Sequence, residues 1–118
     1  MAIFLSTVSP PKWLGNIQDG VFVALADPLR RELLDRLRRE NGQTLSALCD
    51  GLEITRQAVT KHLKVLESAD LIHVQKSGRE RLHFLNPVPI HAVAMRWLRL
   101  FDDLPLDALA ARTKKGPE

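Results

Sequence analysis

Between Thr55 and Leu66 the chain carries side chains suited to bonding a polar ligand in a regular array. Gln57, Thr60, Lys61 and Lys64 recur at helical spacing along one side of this stretch. An amide such as that of Gln57 both accepts and donates, so it matches the N7 and N6 edge of adenine. Thr60 offers a methyl group to a thymine methyl, and Lys61 a cation to a guanine edge or a phosphate. Arg56 and Lys64 stand nearer the ends of the same face and suit phosphates, contacts that position without specifying sequence. His62 lies between the polar and apolar faces, a candidate for either phosphate contact or packing. Thr44 and Ser46 sit near a predicted helix start and offer hydroxyl and backbone N–H groups to phosphate. Lys76, Arg79 and Arg81 surround Gly78, where a predicted hairpin tip suits the minor groove or its flanking phosphates. The chemistry this set implies is recognition of duplex DNA.

Such side chains need a helix anchored by its other face. Val59, Leu63 and Leu66 supply that face at steps of four and three. Thr44 caps a short predicted helix, Leu45 to Asp50, stopped by Gly51; Leu52, Glu53 and Ile54 make the turn, and Thr55 caps the longer helix. A brief helix, a glycine-containing turn and a polar-faced helix form a helix-turn-helix pattern. Ile72 and Val74, then Leu82 and Phe84, alternate on either side of Ser77-Gly78-Arg79-Glu80, predicting a β-hairpin with a four-residue tip.

Upstream, Asp27-Pro28 is a helix start, followed by a stripe of Leu29, Leu33, Leu34 and Leu37 that ends at Asn41-Gly42. Most arginines of this helix are expected to pair with Glu32, Asp35 and Glu40 or to be solvated. After Asn86-Pro87-Val88-Pro89 a last helix is expected to present Ile90, Val93, Ala94, Trp97, Leu98 and Phe101 as one apolar face. A three-helix core covers only part of it, so a second subunit is the expected cover, with Ile17, Val21 and Phe22 of the segment Ile17 to Ala26 contributing. The alternative is that this helix closes the core of a single chain. The predicted organisation is an irregular arm at residues 1–15, a domain at 16–104, and a C-terminal segment at 105–118 with a weak helix at Leu106 to Ala111 and a frayed tail. The fold class expected is mainly α (α+β): a winged helix-turn-helix with a two-stranded wing and flanking dimerisation helices.

At 118 residues the chain suits one domain. Its net charge of +3 is small, but residues 55–85 hold six Lys/Arg against three acids while the remainder balances. The excess therefore falls on the predicted DNA-binding elements. A single cysteine, Cys49, suits a reducing compartment and allows no internal disulfide. The N-terminal residues lack a signal-peptide pattern, and no stretch is long enough to cross a bilayer, so a cytoplasmic protein without a membrane partner is expected. No Ser/His/Asp or Cys/His set, paired carboxylates or phosphate loop suggests an enzyme, and no cofactor is expected.

Taken in order, Ala24-Leu25-Ala26-Asp27-Pro28-Leu29-Arg30-Arg31, Leu45-Ser46-Ala47-Leu48, Thr55 to Leu63, Leu66-Glu67, Leu71-Ile72 and Gly78-Arg79 resemble the arsenical-repressor (ArsR/SmtB) family of winged-helix regulators. The resemblance spans about Ile17 to Leu104. It implies a homodimer built on the first and last helices, bound to an operator in double-stranded DNA and often released by an inducer, which here is unknown. It also implies where a metal would sit in metal-sensing members. Their paired cysteines correspond to Thr44 and Ser46, and their second site to Pro87, Pro89, Leu100 and Asp103, of which Asp103 alone can bind a metal. His62, His73, His83 and His91 show no ligand spacing. No metal site is expected, which suggests the non-metal branch. Two alternatives stay open on the residues: a winged-helix module for protein contacts, and a metal- or thiol-responsive member using Cys49.

Overall fold

The computed structural model describes residues 17–104, with the side chains of Ile17, Gln18 and Asp103 not among those described. The predicted arm, the Leu106 to Ala111 helix and the tail lie outside this range. The elements run α1 (Ile17–Leu25), α2 (Pro28–Arg39), α3 (Leu45–Cys49), α4 (Arg56–Ser68), β1 (Ile72–Ser77), β2 (Glu80–Leu85) and α5 (Val88–Arg96), followed by a 3-10 helix at Leu98–Asp103. This is a mainly helical chain with one antiparallel pair of strands, the winged helix-turn-helix expected.

Three helices, α2, α3 and α4, begin where the capping chemistry places them. The Asp27 carboxylate accepts from the N–H groups of Leu29 (2.8 Å) and Arg30 (3.1 Å), and Pro28 occupies the first helical position. Thr44 and Thr55 accept from the backbone N–H groups of Ala47 (3.2 Å) and Ala58 (3.0 Å) in the same way. The end of α2 differs from expectation. The helix stops at Arg39 with Glu40 extended, short of Asn41-Gly42. The Gln43 amide donates to the carbonyls of Arg36 (2.9 Å) and Glu40 (2.7 Å), so a side chain satisfies orphan acceptors without a glycine cap. At the end of α4, Asp70 takes a left-handed φ of 60°, while Leu71 N–H reaches Leu66 O and Asp70 N–H reaches Glu67 O, both at 2.9 Å. That is a Schellman cap made without glycine.

The core sits where the helices converge: Val21 and Ala24 of α1, Leu33, Leu34 and Leu37 of α2, Leu48 of α3, and Val59, Leu63 and Leu66 of α4, closed by Leu71, Ile72 and Val93. Burying each leucine is worth about 1.5–3 kcal/mol, so the three on α2 and the two on α4 supply much of what holds those helices together. Strand pairing runs from Ile72 opposite Leu85 to Ser77 opposite Glu80. The loop is therefore two residues, Gly78-Arg79, rather than four. Gly78 has φ +64° and Arg79 is not among the positive-φ residues, the requirement of a type II′ turn whose twist matches the strands. Gln43 pairs with His83 on the free side of β2, which ties the wing to the entry of α3.

The last helix also departs from the sequence reading. It is α-helical only to Arg96, changes pitch at Trp97 (φ −127°), and continues as the 3-10 helix. That change sets Trp97 edge-on against both Phe22 (5.7 Å) and Phe101 (5.0 Å).

Candidate nucleic-acid interface

α4 has two chemically opposed faces. Val59, Leu63 and Leu66 are buried, while Arg56, Gln57, Lys61 and Lys64 are exposed and Thr60 is half-buried. Those five polar residues, with Leu45 of α3, line one open groove. The structure thus brings together five of the six residues singled out on this helix. Arg56 is further fixed from α3, where Ser46 Oγ accepts from its Nη1 at 2.9 Å. Ser46 itself is exposed. Thr44 is half-buried, and its hydroxyl oxygen is engaged as the α3 cap, leaving its O–H as the group it can offer outward.

The sixth residue, His62, is turned elsewhere. It is half-buried, and its Nδ1 lies 3.2 Å from Nη1 of Arg30 on α2. A guanidinium only donates, so Nδ1 is the acceptor. Sequence spacing grouped Arg30 with the ion-paired arginines of α2. Arg36, Arg38 and Arg39 do meet Glu32 or Asp35, but Arg30 also bonds a residue thirty-two positions away. No local signal reveals such a partner. The Asp27 carboxyl stands 4.0 Å from the same Nη1. Burial works to raise its pKa, but the hydrogen bonds from Arg30 and Leu29 N–H and the charges of His62 and Arg30 outweigh it and hold it below the ordinary value.

On the wing, Lys76 and Arg81 face each other across the strands and Arg79 caps the turn, all three exposed. Arg81 and His83 also meet Thr60, Leu63, Lys64 and Glu67 of α4 at a narrow cleft with Val74, so the wing's base lies alongside the polar face of α4. His83 is buried, and its Nδ1 donates to Gln43 O at 2.9 Å. Among the described residues, no three His, Cys, Asp or Glu side chains gather to hold a metal ion. Cys49 is half-buried and packs against the core.

The expected dimer-forming face divides in two. Val21 (0% exposed) and Val93 (2%) belong to the chain's own core, because α1 and α5 pack on each other there. Ile90 and Ala94 are half-buried. Phe22, Trp97 (49%), Leu98 and Phe101 (48%) remain exposed, and the structure adds Val88, Met95, Leu100 and Leu104 to them. Leu100 falls in the 3-10 helix and Leu104 just after it, while Val88 and Met95 lie within α5 but off the helical stripe read from the sequence.

A polar-faced second helix and a basic wing on a helical core define a winged helix-turn-helix transcriptional regulator. The comparisons with known proteins agree and narrow the class. A family model described as a helix-turn-helix domain matches residues 25–75. The HTH-type transcriptional regulator YuzN of Bacillus subtilis is 39% identical over 90 residues, covering 71% of this chain and 97% of YuzN. The HTH-type transcriptional repressor SmtB of Mycobacterium tuberculosis is 32% identical over 90 residues, covering 72% of this chain and 66% of SmtB. The crystal structure of an ArsR family transcriptional regulator superposes with a TM-score of 0.67 at 34% identity, over 75% of this chain and 94% of that one. The chain belongs to the ArsR family of DNA-binding transcriptional regulators. The family consists of regulators rather than enzymes.

Proposed function

We propose that this regulator acts as a homodimeric repressor, each subunit laying α4 in the major groove of a palindromic operator and its wing on the adjacent minor groove. The observation that carries the reading is the single groove lined by Arg56, Gln57, Thr60, Lys61 and Lys64, opposite a fully buried apolar face of the same helix. In this arrangement Gln57, with Thr60, reads base edges. Lys61 bonds a guanine edge or a phosphate. Arg56, Lys64, Ser46 and the Thr44 hydroxyl hold phosphates, and Lys76, Arg79 and Arg81 extend that hold along the wing. His62 is assigned to packing through Arg30. Repression is supported by the relatives SmtB and SdpR, which are named transcriptional repressors.

The exposed aromatic set supports a dimer. Trp97 packs edge-on against both Phe22 and Phe101, all three remain exposed on the chain alone, and exposed apolar patches mark subunit contacts. No helix among the described residues is long and apolar enough to cross a membrane, which fits the cytoplasmic location proposed. Light scattering on the protein alone and with a labelled duplex tests the assembly. Wild type should run as a dimer and bind one duplex per two chains, while Trp97→Asp and Phe101→Asp should be monomers with poor affinity. Variants that remain dimeric would move the interface off this face.

A further inference from the structure

Arg30 joins the two parts of the molecule that DNA binding must keep in register. Its side chain is 14% exposed. Nε and Nη2 donate to the carbonyls of Ala24 (2.8 Å) and Val23 (3.1 Å) at the end of α1, the latter also accepting from Ala26 N–H (3.2 Å). Nη1 reaches the opposite way, to His62 Nδ1 on α4. One planar group therefore ties the helix carrying Phe22 to the helix carrying Gln57, Thr60 and Lys61. Apolar packing between helices tolerates small slides and rotations, whereas a fork bonded at both ends fixes them.

We propose that Arg30 is the positioning residue of the reading helix, holding α4 against the end of α1 through the neutral form of His62. The inference rests on the reading of α4 as the major-groove helix. A protonated imidazole carries N–H on both nitrogens and has no acceptor for a guanidinium. Protonation thus replaces the bond with two adjoining cations beside the Asp27 carboxylate. The other elements packed on α4 carry few charged residues. α1 carries one charged residue, Asp19, about a turn before Val23. α3 carries none between Leu45 and Cys49. From β1, Val74 meets α4 on the side of Thr60, Lys64 and Glu67. Along α4 itself, Lys61 is the cation next to it in sequence. Acid therefore loosens the link. A His62 that bonded phosphate would do the reverse, since added positive charge would tighten the complex.

The test compares wild type with His62→Asn, whose amide oxygen replaces Nδ1 as acceptor and does not protonate. Affinity of the full chain for a duplex bearing its selected site is measured by anisotropy between about pH 5 and 8, the range in which histidine charges. Taking the ratio of the two proteins removes the contributions of His73, His83 and His91. Wild type should lose roughly fivefold or more relative to His62→Asn as pH falls. Arg30→Lys, which keeps the charge without the fork, should abolish that difference; if this variant fails to fold, the first comparison still decides. Equal pH profiles, or wild type gaining affinity in acid relative to His62→Asn, would overturn the proposal while leaving α4 as the reader. Wild type without site-selective binding at any pH would overturn the reading of α4, and the proposal with it.

Discussion

Asp27 shows how one side chain can begin a helix and steady a neighbour. It caps α2 through two backbone N–H groups and stands beside the Arg30 guanidinium. Asp27→Ala should cost about 1 kcal/mol of stability, the usual worth of such a cap, measured by urea unfolding at neutral pH. Because the folded-state pKa is lowered, this contribution is complete above the ordinary aspartate value. It fades as pH falls from there through the lower folded value. The stability gap between wild type and Asp27→Ala should therefore close in acid, and a gap that widened would refute the assignment. On the proposed DNA face, residues of different roles predict different outcomes. Gln57→Ala should cost about 1–3 kcal/mol at the preferred site and relax discrimination there. Lys61→Ala and Arg79→Ala should instead weaken all duplexes and flatten the dependence of affinity on salt. A Gln57→Ala loss equal on every sequence would make it a positioning residue, and an unchanged salt slope would remove Lys61 or Arg79 from the phosphate set.

At the scale of elements, the wing depends on its turn. Gly78 has nothing within 4 Å of an added Cβ, so Gly78→Ala acts through backbone conformation alone. A left-handed alanine costs about 1–2 kcal/mol, strain the short loop can relieve only by shifting Arg79. The variant should bind DNA more weakly and retain the wild-type oligomeric state; undiminished affinity would show that the wing tip does not contribute. The boundaries of α3 and α4, and the starts of α2 and β1, were legible because Asp27-Pro28, Thr44, Thr55 and the alternation in Ile72 to Phe84 are local signals. What was not legible depends on distant groups. Gln43 ends α2 because its amide folds back over the helix, and Asp70 accepts a left-handed cap that Asn86 supports by donating to its carbonyl at 2.8 Å. Val21 and Val93 fit an outward apolar stripe by spacing but meet inside the chain. The polar face of α4 was read correctly as a surface, since amphipathic period alone separates it from the core. His62 stayed open between phosphate contact and packing, because its partner Arg30 lies on another helix.

Across the whole molecule, the asymmetry of charge and that of apolar surface point to different partners. Excess Lys/Arg gathers on residues 55–85, while exposed Phe22, Trp97, Leu98, Leu100 and Phe101 belong to α1 and the C-terminal helices. One region suits a polyanion and the other a second copy of the chain, and two-fold pairing through the second would present two copies of the first. A dimer of this kind should select DNA with the same symmetry. The decisive measurement is selection from a random pool of duplexes by the purified protein, followed by sequencing of what is retained. Enrichment of a two-fold symmetric site, its half-sites about one helical turn (~10 bp) apart, is the predicted result. Retention of all duplexes alike, lost on adding salt, would contradict it and leave α4 as a basic surface without a reader's role.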